Sequence, residues 1–355
     1  MFARHTQRGP DRSLSLARIA LTEVASVDIR LEGKFVGQEH VVGWLDPSLN
    51  SRNTGDQIIA DAVETELAGM LPDSYLLRLP TQTYLTRKER QLAAHCSDFV
   101  VGGTNLLNGN IPTYIQWKLD PHTVHTYKGS VSLLGVGWWQ YQAKPNLLSR
   151  SLWRGLLGAG VNSVRDGYTQ KMLTEVGVES INTGCPTMWR LPSEIPVSDK
   201  RPSGVIMTLT DYHRNPLRDA KLVRGLKERY EEVLVWPQGS KDRTYVRSLD
   251  RGVQFLGDGL EDFNSALNSR QFDYVGTRLH AGVRALQLGA KSTIVAVDNR
   301  AVEIAKHTGL PVISGNLEAR DWAVVDERSD IRLELPREAI NNWKAAFVAA
   351  VAREI

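Results

Sequence analysis

Residues 272–288, FDYVGTRLHAGVRALQL, press a strand, a glycine and a helix start into one short run. Phe272, Tyr274 and Val275 are the aromatic and β-branched types that strand interiors favour. Gly276 reads as a sharp turn at a point where a side chain would crowd an incoming ligand. Leu279, Val283 and Leu286 then recur at i, i+4 and i+7, which sets them on one buried helical face and leaves Arg278 and His280 at the helix mouth. Such a mouth presents unpaired backbone N–H groups and the positive end of the dipole, so phosphate or carboxylate is favoured there, and Arg278 adds a fixed fork of donors. Taken alone, the pair reads equally as a surface arginine and a histidine satisfied at a helix start.

Working outward, the same unit repeats. HVVGWLD (40–46), SYLLRLP (74–80), DFVVGG (98–103), SVSLLGVGW (130–138) and VNSVRDG (161–167) have strand character, with helical segments between them. Residues 184–203, with four prolines and mixed charge, interrupt the pattern and are read as the connection between two halves. GVIMTLT (204–210), EEVLVWP (231–237), GVQFL (252–256), the 272–276 strand, STIVAV (292–297) and PVIS (311–314) renew it. Strand and helix in alternation predict parallel sheets covered on both faces. The expected architecture is therefore α/β, two doubly wound Rossmann-like domains facing a cleft, with ligands at the carboxyl ends of the strands. The boundaries are an unassigned arm over 1–39, a first domain over 40–190, a second over 204–330 and a closing helix over 331–355.

Composition narrows the class. The chain has 355 residues, 23% of them charged and 42% apolar, as in ordinary globular domains. A net charge of +3 without a dense basic block argues against nucleic acid. Two cysteines, Cys96 and Cys185, make no disulfide framework and no four-cysteine zinc site, so a reducing cytoplasm is expected. No apolar run reaches a membrane span, so at most peripheral membrane contact is expected, and the basic N-terminus lacks the apolar core of a secretory signal.

If ligands bind beyond strand ends, the loops there hold the candidates. Asn53, Gly55 and Asp56 follow the first strand; Asp56 reads either as a helix N-cap or as a catalytic carboxylate. Gly102, Gly103, Thr104 and Asn105 form a turn where backbone N–H groups can approach a ligand. Arg165 ends a short strand, and a structural ion pair is the competing reading. Trp138 and Trp139 suit either sugar stacking or the core. The eight histidines show no metal-ligand spacing, and no metal site is expected. Gly-x-Gly-x-x-Gly after the first strand, Walker A and Gly-x-Ser-x-Gly are all missing. What remains, arginines with a histidine, one or two aspartates and glycine turns, suits a small anion and acid–base chemistry.

The segments NTGD (53–56), SDFVVGGTNLL (97–107), VSLLGVGW (131–138), VNSVRDGYTQKMLTEVGV (161–178) and FDYVGTRLHAGVRALQLGAKSTIVAVDNR (272–300) together resemble the polysaccharide pyruvyl transferase family. The resemblance implies a GT-B-like pair of domains and transfer of the pyruvyl group of phosphoenolpyruvate to a saccharide, free or lipid-linked, as a cyclic ketal, with no further cofactor. It implies Arg165 and Arg278 as contacts to the donor's carboxylate and phosphate, with Asn53, Gly102, Gly103 and Thr104 lining the substrate site. His280 would deliver a proton to the donor's methylene carbon, and Asp56 would take one from the attacking hydroxyl. A GT-B glycosyltransferase using a nucleotide sugar is the alternative, with Glu303 available for a ribose; a silent carbohydrate-binding protein is a third reading.

Overall fold

The computed structural model describes residues 40–113 and 116–352. The arm expected over 1–39 lies outside the described residues. The first half runs β1 (Val41–Asp46), α1 (Gly55–Met70), β2 (Tyr75–Pro80), α2 (Arg87–Ala93), β3 (Asp98–Gly102), α3 (Pro121–Tyr127) and β4 (Val131–Leu134). Its four strands pair in parallel in the order β2-β1-β3-β4. α4 (Leu147–Leu157), β5 (Ser163–Val164), α5 (Gly167–Val176) and β6 (Ile181–Asn182) follow, β5 and β6 forming a parallel pair. The connection carries β7 (Glu194–Ile195).

The second half continues with β8 (Gly204–Thr208), α6 (Pro216–Lys227), β9 (Glu232–Val235), α7 (Asp242–Leu249), β10 (Gln254–Phe255) and α8 (Leu260–Asn268). Next come β11 (Phe272–Gly276), α9 (Leu279–Gln287), β12 (Ser292–Val295), α10 (Asn299–Thr308) and β13 (Val312–Ile313). Six strands make a parallel sheet in the order β10-β9-β8-β11-β12-β13. The chain ends with α11 (Ala319–Asp326), β14 (Ile331–Arg332), which pairs antiparallel with β7, and α12 (Arg337–Val351).

Successive side chains of a strand point to opposite faces, and this period of two sorts the helices into layers. In the second sheet Ile206, Tyr274 and Ile294 pack with Phe263 of α8, Leu286 of α9 and Ile304 of α10. Their neighbours Val205, Val275 and Val295 face the other way, onto Leu222 and Leu226 of α6 and Val246 of α7. The first sheet divides likewise. Leu45, Val101 and Leu133 meet Tyr127, Trp153 and Leu173, whereas Val42, Trp44 and Val100 meet Ile59 and Val63 of α1. Both sheets are thus doubly wound, and the fold is α/β with two Rossmann-like halves in a GT-B-like arrangement.

The halves are joined by more than a tether. Although residues 184–203 are proline-rich, Met188, Leu191 and Ile195 are buried in the core of the second sheet. Ile58 of α1 enters that same cluster while Ile59 and Val63 serve the first sheet, so one helix lies on both cores. Helix α12 returns to the first sheet: Ile340, Trp343 and Phe347 cover the face built by Val42, Trp44 and Ile59. Trp343 Nε1 donates to the Val161 carbonyl at 3.0 Å, and its ring stacks on Phe347. No helix among the described residues is long and apolar enough to cross a membrane.

Candidate active site

All strands of a parallel sheet end on one edge, so the loops that follow them share that edge. Here the two carboxyl edges face each other across a cavity of about 560 Å³. From the first half, Ser51, Asn53 and Asp56 follow β1, Gln82 follows β2, Thr104 and Asn105 follow β3, and Trp139 follows β4. From the second half come Asp211 and Tyr212 after β8, Gly239 and Ser240 after β9, Arg278 after β11, and Asp298 and Arg300 after β12. The β1–α1 loop is fastened to the β9–α7 loop. Thr54 N donates to the Gln238 carbonyl at 3.0 Å, and Asn53 bridges Gly239.

Asp56 is not the N-cap of α1. Thr54 holds that position, and Asp56 sits one turn-residue inside the helix, because the chain is already turned by Asn53, whose side chain accepts from Gly55 N at 3.3 Å. The Asp56 carboxylate is buried and accepts from Ser51 Oγ at 2.5 Å, Asn53 Nδ2 at 3.1 Å and Gln82 Nε2 at 3.2 Å. Burial pushes its pKa above the usual carboxylate range, and the hydroxyl and amide donors with Arg300 and Arg278 oppose that only in part.

Gly102 and Gly103 do not line the cavity, contrary to the ligand approach expected of them. A Cβ at Gly102 would lie 2.4 Å from Val63 Cγ2, and one at Gly103 2.1 Å from Ile59 Cγ2, so their missing side chains admit α1. Thr104 follows at φ 53, in the left-handed region, and does reach the wall. Gly276 is corrected in the same way. It ends β11 as a strand residue, and a Cβ there would meet Thr208 Oγ1 at 2.3 Å, which is close approach to β8 and not to a ligand.

Thr208 also accepts from Thr277 N through its carbonyl and from Arg278 N through its hydroxyl, at 3.0 and 3.3 Å, which fixes where Arg278 leaves the sheet. Arg278 is only 5% exposed. Its Nη2 donates to both carboxylate oxygens of Asp242, at 2.8 and 2.6 Å, and its guanidinium carbon lies 5.0 Å from the Tyr212 ring centre. Asp242 in turn accepts from Gly239 N at 2.8 Å and Asp211 N at 3.1 Å, so the arginine is aimed by a carboxylate that is itself held. Its Nε is buried without a hydrogen-bond partner.

Arg165 is 1% exposed and reaches the site through Asn105, to whose Oδ1 its Nη2 donates at 2.6 Å. Gly137 leaves the room: a Cβ there would lie 2.3 Å from Arg165 Nη2. Asp166 caps α5, accepting from Thr169 N at 2.7 Å, and accepts from Arg165 Nε at 3.3 Å. The second terminal nitrogen, Nη1, is buried with no partner. Arg165 also lines a smaller cavity of about 330 Å³ with Gly184 and His307.

His280 lies in the first turn of α9, 7% exposed and behind the cavity wall, its Nε2 3.7 Å from Cys185 Sγ. Burial, then the charges of Arg300 and Arg165, push its pKa down to about 3, so the empty site holds it neutral.

Arg300 is the residue that sequence reasoning missed. It follows Asp298, the N-cap of α10, whose carboxylate accepts from Arg300 Nε and Nη2 at 3.0 and 2.6 Å. Against the burial that would raise it, Arg300 holds the Asp298 carboxyl below its ordinary range. Arg300 Nη2 also donates to Tyr212 Oη at 2.7 Å. The signal was the strand–loop–helix run STIVAVDNR, which repeats the grammar of the 272–280 stretch with an arginine at the helix start. Trp139 lines the cavity, whereas Trp138 is fully buried in the core. Among the described residues no group of three or more His, Cys, Asp or Glu side chains is placed to hold a metal ion.

Residues 53–299 match the family model described as polysaccharide pyruvyl transferase. No curated protein matches the chain. Among solved structures, the chain is similar to the UDP-GlcNAc 2-epimerase of Methanocaldococcus jannaschii in complex with UDP-GlcNAc and UDP, at 10% identity and a TM-score of 0.47, over 86% of this chain and 98% of that one. It is similar also to the UDP-GlcNAc 2-epimerase of Neisseria meningitidis bound to UDP-GlcNAc, at 10% identity and a TM-score of 0.37, over 75% and 85% of the two chains. At these scores neither likeness bears on the chemistry.

Proposed function

Because the chain belongs to the polysaccharide pyruvyl transferase family, we propose that it moves the pyruvyl group of phosphoenolpyruvate onto two hydroxyls of a saccharide as a ketal, in the cytoplasm. The observation that carries this reading is the buried Arg278 Nε, which has no hydrogen-bond partner beside the polar cavity, backed behind the wall by the unpartnered Nη1 of Arg165, which Asn105 separates from the cavity, and by a neutral histidine. A donor with both a carboxylate and a phosphate satisfies such groups, and planar forks suit it.

The chemistry then runs on this chain's own residues. The two anionic groups of the donor offset the charges of Arg165 and Arg300 and so raise the proton affinity of His280 as they bind. Protonated His280 gives its proton to the methylene carbon, which becomes a methyl group and leaves the central carbon electrophilic. A saccharide hydroxyl attacks that carbon while Asp56, whose raised pKa makes it a better base, takes the hydroxyl proton. The carbon–oxygen bond to phosphate breaks, and a second hydroxyl closes the ketal and returns a proton to His280. Of the two hydroxyl protons, one ends on the methyl carbon and the other on phosphate. Gln82, Asn105 and Trp139 supply the amides and the aromatic surface that a saccharide needs. No metal is required, since guanidinium groups provide the positive charge.

Thermal unfolding with phosphoenolpyruvate and with a panel of nucleotide sugars tests the assignment, because a ligand that binds only the folded state raises its melting temperature. Phosphoenolpyruvate should raise it. A shift with UDP- or GDP-sugars and none with phosphoenolpyruvate would replace the reading with a glycosyltransferase.

A further inference from the structure

The largest of the cavities described here lies at the other end of the second sheet. About 770 Å³ in volume, it is bounded by the residues that precede the strands: Ser203 before β8, Gln271 before β11 and Lys291 before β12. The loops that follow these same strands line the catalytic cleft, so the two cavities sit at opposite edges of one sheet. Six cationic side chains line it, Lys200, Arg201, Arg229, Arg270, Lys291 and Arg328, against the carboxylates of Glu231 and Asp273.

Three of the six are held in ion pairs. Arg328 pairs with Asp273 at 2.5 Å, and Arg201 and Arg229 share Asp326 at 2.8 and 3.1 Å. Among the described residues Lys200, Arg270 and Lys291 have no carboxylate partner. Lys291 is the informative one. Its half-buried ammonium donates only to backbone carbonyls, of Val324 at 3.0 Å and Val325 at 2.5 Å. Burial lowers its pKa to about 8, Arg328 and Arg201 adding to the effect while Asp273 opposes it. A partly buried charge with no carboxylate in contact is costly, and a bound anion lowers that cost. The volume falls in the range of small-molecule sites.

We propose that this cavity is a second ligand site, for a small phosphate-bearing anion, separate from the catalytic cleft. Lys291 supplies a fixed ammonium from the floor, while Arg270 and Lys200 close on the anion from the rim. The three ion pairs keep Arg201, Arg229 and Arg328 in place as the wall.

Calorimetric titration of the whole protein with inorganic pyrophosphate tests this. Saturable binding is expected that survives Arg300→Met in the cleft and weakens by roughly tenfold or more in Arg270→Gln and in Lys291→Met, the loss a charge-assisted contact predicts. Arg270 is exposed and its side chain is in none of the hydrogen bonds described, so its variant, which keeps the backbone bond to Leu267, keeps the fold whatever Lys291→Met does to the end of α11. Absence of saturable binding at millimolar pyrophosphate would overturn the proposal. So would binding lost in Arg300→Met but kept in Arg270→Gln, which would assign the anion to the cleft. Sedimentation with phosphatidylserine vesicles in the absence of pyrophosphate binding would overturn it in favour of a surface contact.

Discussion

The two walls of the cleft are built from one unit, a parallel strand whose following loop leads into a helix, yet they carry different chemistry. The second-sheet wall holds charge in pre-set pairs, Arg278 on Asp242 and Arg300 on Asp298, with Tyr212 against both arginines. The first-sheet wall is mostly neutral, with Asn53, Gln82, Thr104 and Asn105 around the single buried carboxylate of Asp56. Its one cation at the cavity is the exposed side chain of Arg52, and Arg165 is withdrawn behind Asn105. The contrast suits the division of labour proposed above, in which the charged wall holds the anionic donor and the neutral wall meets the hydroxylated acceptor.

Four experiments break or sharpen that division. The largest effect belongs to His280→Gln, which removes the proposed proton donor from behind the charged wall: turnover should fall roughly 100- to 10,000-fold while donor affinity stays within a few fold. Steady-state kinetics near neutral pH decide it, and a nearly silent variant would hand the proton step to another group. Asp56→Asn on the opposite wall should cost about 100-fold in turnover with donor affinity preserved. Because Asp56 is not the cap and carries a raised pKa, the melting temperature at pH 7 should not fall, and a large drop would make Asp56 structural.

Arg300→Lys keeps the charge and loses the planar fork shared by Asp298 and Tyr212, so the donor Michaelis constant should rise about tenfold or more with a smaller change in turnover. If the acceptor constant moves instead, the walls have been assigned the wrong way round. The last test is on stability. His280 takes up a proton near 6.5 when unfolded but only near 3 when folded, so the unfolded chain binds more protons between those values and stability falls as the pH is lowered through that window. Chemical denaturation against pH should show this acid limb, flattened in His280→Gln.

Much of this was legible in the sequence because it depends on local pattern. The alternation of strand and helix, both parallel sheets and a site on the strand ends follow from periodicity, and Asn53, Asp56, Thr104 and Arg278 do meet at one cavity. Misreadings came where a residue's reason lies across the fold. Gly102, Gly103 and Gly276 are small because Val63, Ile59 and Thr208 come close, and no local signal separates that from room for a ligand. Asp242 aims Arg278 from a distance of 36 residues, and Asn105 receives Arg165 from 60, so neither pairing shows in spacing.

Helix α12 has a consequence for how the protein is made. The apolar face of Val42, Trp44, Ile59 and Val63 is made from one end of the described chain, but its cover, Ile340, Trp343 and Phe347, is synthesised only after both sheets. A ribosome adds about 5 to 20 residues per second, so that face waits on the order of ten seconds to a minute before its partner leaves the exit tunnel. The first sheet therefore completes its core only once α12 has emerged, and a chain stopped before residue 337 would keep the sticky surface of a nascent polypeptide.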